Sequence, residues 1–166
     1  VGTYTKNPKR PPIGFMKLLL VQPPIEDFYE TEVRLQPIGL AYLKSYLRIH
    51  LPQLEVKIID FHRGFSKKTI KIPKELRYLK SYYPFQDKSP FCSFHSYFRF
   101  GASAEEIEAV LIKEKPDIVG VSSLFSPYYR EAIEVGQIAK KINPKIVTLF
   151  GGSHVSACPC LLYTSP

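Results

Sequence analysis

DIVGVSSLFSPYYR, residues 117–130, is the stretch that decides the fold of this chain. Ile118 to Ser122 carries no charge on either face, which predicts a strand buried inside a sheet. Ser126 and Pro127 stand where the N-cap and the first residue of a helix are usually found. The turn between them, Ser122 to Phe125, lies at the carboxyl end of the strand. In open α/β sheets that edge is where ligands bind.

The rest of the chain repeats the alternation of strand and helix. Further strands are predicted at residues 17–21, 55–60 and 145–150, and helices at residues 37–50, 104–114 and 127–142. Such alternation predicts a flavodoxin-like, doubly wound parallel α/β sheet with right-handed crossovers. In the strand order 2-1-3-4, Gln22-Pro23-Pro24 and Ser122–Phe125 would flank the ligand crevice. Gly151-Gly152, after the fourth strand, would open on the same edge.

The composition is that of an ordinary globular domain. The chain has 166 residues, of which 45% are hydrophobic and 23% charged, enough for one domain with a core. It has no apolar run near the roughly 20 residues that a membrane span needs, so no membrane contact is expected. Cys92, Cys158 and Cys160 give no disulfide framework, which favours a reduced, cytoplasmic setting.

Two turns carry the chemical signal. Ser122 offers a hydroxyl and Leu124 an apolar surface after the third strand. Gly151 and Gly152 let a bulky ligand approach the backbone without a Cβ in the way. Each turn taken alone is more often an ordinary connection between strand and helix. Together, Ser-x-Leu and Gly-Gly resemble two of the three signatures of cobalamin-binding domains, in which the nucleotide tail of the cofactor lies along these turns.

The third signature of those domains is absent. It is Asp-x-His-x-x-Gly after the first strand, which supplies a histidine to cobalt, and Gln22-Pro23-Pro24 stands there instead. Asp60-Phe61-His62-Arg63-Gly64 imitates the motif after the second strand but is one residue short. His62 is therefore interpreted as a polar loop residue, and no metal ligand is predicted.

The pattern as a whole resembles the amino-terminal domain of cobalamin-dependent radical S-adenosylmethionine enzymes, many of which bind cobalamin without a protein histidine. The resemblance rests on residues 18–24, 37–47, 119–132 and 151–159. It implies cobalamin as the cofactor. The cofactor-binding residues expected on this basis are Pro23, Pro24, Ser122, Leu124, Gly151, Gly152, His154 and Ser156.

The resemblance also implies a missing part. Radical chemistry in this family needs three cysteine thiolates for a [4Fe–4S] cluster, and the three cysteines here lack the Cys-x-x-x-Cys-x-x-Cys spacing. The cluster and S-adenosylmethionine are therefore expected only in a missing carboxyl-terminal barrel, the implied partner. The chain alone is predicted not to be catalytic, and its parent to be methyltransferase-like.

The ends are interpreted as lying outside the domain. Residues 1–15 precede the only methionine, Met16, and are predicted to be a disordered extension. Residues 16–159 form the predicted cobalamin-binding-like domain, which has four strands and lacks the fifth. Residues 160–166, CLLYTSP, resemble translated adaptor sequence and are interpreted as a foreign tail.

The segment 63–100 interrupts the alternation. It holds nine basic and two acidic residues, so +7 of the formal +8, and ten of the 22 Phe and Tyr residues. This density predicts an ordered insertion. Interleaved cations and rings also fit a second function, single-stranded nucleic-acid binding. In a family whose domain covers a barrel, packing against a partner is favoured over binding of nucleic acid.

Overall fold

The structure, a computed structural model, describes residues 16–31, 36–85 and 87–159. The strands are β1 (Met16–Gln22), β2 (Ile25–Asp27), β3 (Leu54–Asp60), β4 (Lys68–Ile70), β5 (Tyr97–Phe100), β6 (Ile118–Ser122) and β7 (Val147–Gly151). The helices are α1 (Ile38–His50), α2 (Leu79–Tyr82), α3 (Ala104–Glu114), α4 (Tyr129–Ile142) and α5 (Ser153–Ala157). Short 3₁₀ turns cover Lys74–Leu76, Pro90–His95 and Ser126–Tyr128.

The main sheet is parallel and has the order β3-β1-β6-β7. These are the second, first, third and fourth strands of the alternation, so the predicted flavodoxin-like order is confirmed. Leu20 of β1 pairs with Gly120 of β6, and Ser122 pairs with Gly151 of β7. The carboxyl ends of the three strands therefore meet at one edge.

Helices cover both faces of this sheet. On one face, Leu18 and Leu20 pack with Leu40 of α1. On the other, Leu19 and Val21 pack with residues of α3 and α4, among them Ile107, Leu111, Ala132, Val135 and Ala139. Because side chains alternate along β1, adjacent leucines serve opposite layers. α3 begins at a capping box, in which Ser103 and Glu106 bond reciprocally.

The predicted N-cap of α4 is wrong. Ser126 and Pro127 lie in a 3₁₀ turn, and α4 begins at Tyr129 without a side-chain cap. The Ser126 hydroxyl instead lies 3.0 Å from Nδ1 of His154. A serine that bonds across the structure is not free to cap its own helix.

The insertion forms part of a second, antiparallel sheet with the order β2-β5-β4. β2 comes from the loop after β1, whereas β4 and β5 lie inside residues 63–100. Arg99 of β5 joins this sheet to α4, because it donates to Glu26 at 2.8 Å and to Glu134 at 2.7 Å. Between β4 and β5 the insertion also holds a 3₁₀ turn, Lys74–Leu76, and the four-residue α2.

The insertion leaves and rejoins the domain at one point. The amide of Ala102 donates to the carbonyl of Phe61 at 2.7 Å, and the amide of Phe61 donates to Gln22 at 2.9 Å. Gly101 makes this closure possible, because its φ is +119° and a Cβ there would lie 2.2 Å from the oxygen of Phe61. The two ends of the insertion are thus fixed beside the end of β1.

The predictions for residues 1–15 and 160–166 lie outside the described residues. Within the described ranges, no helix is both long and apolar enough to span a membrane.

Candidate functional site

Two turns cross at the carboxyl edge of the main sheet. The amide of Ser123 donates to the carbonyl of Gly151 at 2.7 Å, and the amide of His154 donates to Ser123 at 3.3 Å. The Ser153 hydroxyl donates to the carbonyl of Leu124. The structure therefore brings the Ser-x-Leu turn and the Gly-Gly turn into direct contact through their backbones.

Gly152 makes the crossing possible. Its φ is +125°, and a Cβ on it would lie 2.3 Å from the carbonyl oxygen of Ser123. A side chain at this position would therefore collide with the neighbouring turn and adopt a strained backbone. The contact between the two turns, and not a ligand, therefore requires glycine at residue 152.

Gly151 has a different role. A Cβ on Gly151 would meet nothing within 4 Å. It follows Leu149 at a spacing of two residues, so both face the side of the sheet that α1 covers. The open space beside Gly151 is the end of an apolar groove.

The groove lies between α1 and the main sheet and has a volume of about 500 Å³. Its floor is made by β1, β6 and β7, its wall by α1, and its mouth by the two turns. The principal residues of the floor are Leu18, Leu20, Ile118, Gly120 and Leu149. Those of the wall are Pro37, Leu40, Leu43 and Leu47. Those of the mouth are Gln22, Ser122, Leu124, Gly151 and Gly152. An apolar slot with a few polar groups at its mouth is typical of a small-molecule site.

Gly120 widens the floor, and the sequence reasoning missed it. A Cβ at residue 120 would lie 3.1 Å from Cδ2 of Leu20. The groove leucines of α1 were also missed as ligand-facing residues. The signal was present, since Leu40, Leu43 and Leu47 recur at helical spacing, but only the fold shows that part of this stripe faces a cavity.

The other predicted residues lie around the same edge. Pro23 and Pro24 are buried directly after β1. Ser156 is exposed, and its hydroxyl donates to the carbonyl of Gly152 at 3.3 Å. Leu124 is 44% exposed at the mouth of the groove, whereas Ser122 is 8% exposed. Of the eight predicted residues, Ser122, Leu124, Gly151 and Gly152 line the groove.

His154 is buried behind the turns. Its side chain is 3% exposed, and its ring centroid lies 5.5 Å from that of Tyr129. Nδ1 lies beside Ser126, whereas Nε2 is buried and has no hydrogen-bond partner among the described residues. The ring therefore connects the Gly-Gly turn to the start of α4.

His62 is also buried, at 1% exposed. Its amide donates to Asp60 at 2.9 Å, and its Nδ1 lies 3.4 Å from the carbonyl of Phe100. It thus occupies the predicted loop position but packs inside the domain. No group of His, Cys, Asp and Glu in the described ranges is arranged to hold a metal ion.

A charged cluster that sequence reasoning missed lies between the small sheet and α4. Arg99 bridges Glu26 and Glu134, and Glu131 lies beside them at 4% exposed. Burial, more than the neighbouring carboxylates, raises the pKa of Glu131 to about 8. Glu131 is therefore largely protonated at neutral pH, which lets it occupy a buried site without a cationic partner of its own.

Comparison with known proteins points to one family. Residues 95–165 match the family model described as B12 binding domain. The chain is 30% identical over 156 residues to the uncharacterized methyltransferase PH0819 of Pyrococcus horikoshii, covering 88% of this chain and 25% of that protein. It is 28% identical over 146 residues to the cytidylyl-2-hydroxyethylphosphonate methyltransferase of Streptomyces wedmorensis, covering 87% of this chain and 23% of that protein.

The chain therefore spans about a quarter of the length of the curated relatives that it matches. No solved structure gives a significant match. The family match and the strand order together confirm the resemblance to cobalamin-binding domains.

Proposed function

We propose that this chain is a B12-binding domain and that it holds cobalamin at the carboxyl edge of the main sheet, as its family match and its sheet order support. The observation that carries the proposal is the apolar groove, which opens at the two turns that the sequence singled out. Bound cobalamin supplies cobalt-centred chemistry that protein side chains cannot provide. The protein supplies the slot, the orientation and the exclusion of water.

The residues present fit such a ligand. The flat, apolar base of a nucleotide tail needs a slot without obstructing side chains, and a Cβ built on Gly151 would meet nothing within 4 Å. Ser122 would place a hydroxyl at the mouth, and Leu124 would cover the tail. Gly152 would keep the two turns together. Pro23, Pro24, His154 and Ser156 are the remaining residues that we propose to lie near the cofactor at this edge.

We also propose that neither His62 nor His154 would be a ligand to cobalt. The end of β1 carries Gln22-Pro23-Pro24 in place of the histidine motif. His62 and His154 are both buried, at 1% and 3% exposed. An imidazole must reach the surface of the groove to bind the metal, and these two rings are held inside the domain by their neighbours.

The larger protein would be a cobalamin-dependent radical S-adenosylmethionine methyltransferase in the cytoplasm. Two observations support the methyltransferase part of this proposal: both relatives are named as methyltransferases, and this chain covers about a quarter of each. The [4Fe–4S] cluster and S-adenosylmethionine would belong to a barrel outside this chain. The role of this domain would be to present the corrinoid to that barrel.

Titration with hydroxocobalamin tests the proposal. The chain should change the visible spectrum of the corrinoid on binding, and Gly151→Leu should abolish the change because the new side chain fills the groove. Ala109→Leu is the matched control, since it adds the same side chain at an exposed position on α3. No spectral change with the folded parent chain, or equal binding by Gly151→Leu, would overturn the proposal.

Histidine substitution tests the ligation proposal separately. His62→Ala and His154→Ala should bind hydroxocobalamin with the same visible spectrum as the parent chain. Loss of a cobalt–imidazole signature in either folded variant would show that a histidine of this domain does bind the metal.

A further inference from the structure

A second cavity lies in the insertion, away from the groove. The pairing of β4 with β5 ends at Ile70 and Tyr97, and beyond this pair the two segments separate. The cavity opens between them and has a volume of about 360 Å³. It is lined by Thr69, Ile70, Lys71, Ile72, Arg77, Lys80, His95, Ser96 and Tyr97.

Three cations line this cavity and are not neutralised. Lys71, Arg77 and Lys80 are all exposed, and none forms an ion pair with a carboxylate in the described part of the chain. The nearest acidic residue in sequence, Glu75, pairs with Arg130 of α4 at 3.4 Å. The cavity therefore concentrates positive charge within a segment that is already strongly basic.

Arg77 is oriented by the backbone. Its Nε donates to the carbonyl of Ile72 at 3.3 Å, which fixes the guanidinium against the chain that leaves β4. The Nη groups remain for another acceptor. A planar guanidinium that is held in this way is suited to bind a phosphate with two parallel hydrogen bonds.

Neutral donors are present as well. Thr69 and Ser96 bring hydroxyl groups to the lining. His95 is not counted among these donors, because its Nε2 lies 2.9 Å from the carbonyl of Tyr83 and already donates there. Cations combined with hydroxyl groups around a concave surface form the donor set that a phosphate dianion requires.

We propose that this cavity binds the phosphate group of a small phosphate-bearing ligand. The volume exceeds that of a phosphate alone, so there is room for part of the group attached to it. The site is separate from the cobalamin groove, since no residue lines both cavities. The insertion would thus add a ligand site to the cofactor domain.

The test is calorimetric titration of the whole chain with inorganic phosphate and with cytidine monophosphate. Arg77→Gln should weaken binding of both by about tenfold or more, because it removes charge-assisted hydrogen bonds. Lys74→Ala removes an exposed cation of the same insertion that does not line the cavity, and it should weaken binding by less than about twofold. Hydroxocobalamin binding should be unchanged in both variants.

Three results would overturn the proposal. They are equal losses in Arg77→Gln and Lys74→Ala, no binding of either phosphate compound, and binding only of an oligonucleotide with a salt dependence that steepens with its length. The last result would mean that the insertion binds nucleic acid through diffuse charge. If Arg77→Gln does not fold, phosphate binding is measured with Lys80→Ala instead. Lys80 lines the cavity and is exposed, so this substitution should weaken phosphate binding without unfolding the chain.

Discussion

The backbone of Gly152 lies directly against the carbonyl group of Ser123, so closely that a Cβ on residue 152 would stand 2.3 Å from the Ser123 oxygen. The adjacent Gly151, in contrast, faces open space. Two consecutive glycines of one motif therefore serve different purposes. One holds two turns together, and the other leaves room for a ligand.

Substitution of each glycine by alanine should separate these purposes. Gly152→Ala is expected to lower the free energy of unfolding by about 2 kcal/mol or more, because of its positive φ and its collision with Ser123. Gly151→Ala should change it by less than about 0.5 kcal/mol. Urea denaturation measures both values. Similar losses in the two variants would contradict the division of roles.

The wall of the groove gives a second prediction. Leu43 of α1 lines the groove and is 50% exposed, so Leu43→Ser should leave the fold intact while weakening hydroxocobalamin binding by about tenfold. Ile49→Ser is the control, because Ile49 lies on the same helix, is 72% exposed and does not line the groove. Spectrophotometric titration compares the variants, and unchanged affinity in Leu43→Ser would exclude the groove as the site.

Glu131 should make the domain sensitive to pH. Its pKa in the folded chain is about 8, against an ordinary value of 4.5 for a glutamate, so the folded state holds a proton that the unfolded state releases between these values. Stability should therefore fall as the pH rises from 5 towards 8, and it should then level off. The carboxylates that face it, Glu26 and Glu134, share Arg99.

Thermal melts of Glu131→Gln at several pH values check this assignment. The amide cannot ionise, so the variant should lack the decline and be more stable than the parent above pH 8, with a smaller difference at pH 5. Parallel curves for the two proteins would show that another group controls the pH dependence.

Arg99 should stabilise the junction between the small sheet and α4. Arg99→Met leaves Glu26 and Glu134 partly buried without their cation, and a loss of about 3 kcal/mol is expected. The surface pair of Lys141 and Glu108, 3.6 Å apart, is the control, and Lys141→Met should cost less than about 1 kcal/mol. Denaturation by urea, with hydrogen exchange of the β5 amides, distinguishes the two. A small effect of Arg99→Met would mean that packing alone holds the small sheet.

The main sheet could be predicted because its information is local. Apolar strands, proline stops and the capping box at Ser103 each occupy a few consecutive residues, and parallel crossovers allow few arrangements. The small sheet could not be predicted in this way. Ile25 of β2 pairs with Phe100 of β5, and α1, β3 and the rest of the insertion lie between them in sequence. All four residues of β5 are buried, so its sequence shows no alternation.

The candidate site was predictable only at its turns. Ser122, Leu124, Gly151 and Gly152 form a recognisable pattern in sequence. The role of Gly120 in the floor depends on its closeness to Leu20 of the neighbouring strand. Neither strand's sequence alone shows which residues of the other strand lie beside it. The prediction of Ser126 as the N-cap of α4 was wrong for a similar reason, because its hydroxyl bonds to His154, which is distant in sequence.

A backbone hydrogen bond of 2.7 Å joins Ala102 to Phe61, so the two ends of the insertion lie next to each other in the domain. An insertion whose ends are adjacent can be shortened, lengthened or replaced while the end of β1 and the start of α3 keep their positions. The same main sheet could therefore carry different insertions with different ligand or partner preferences. The groove between α1 and the main sheet would not change.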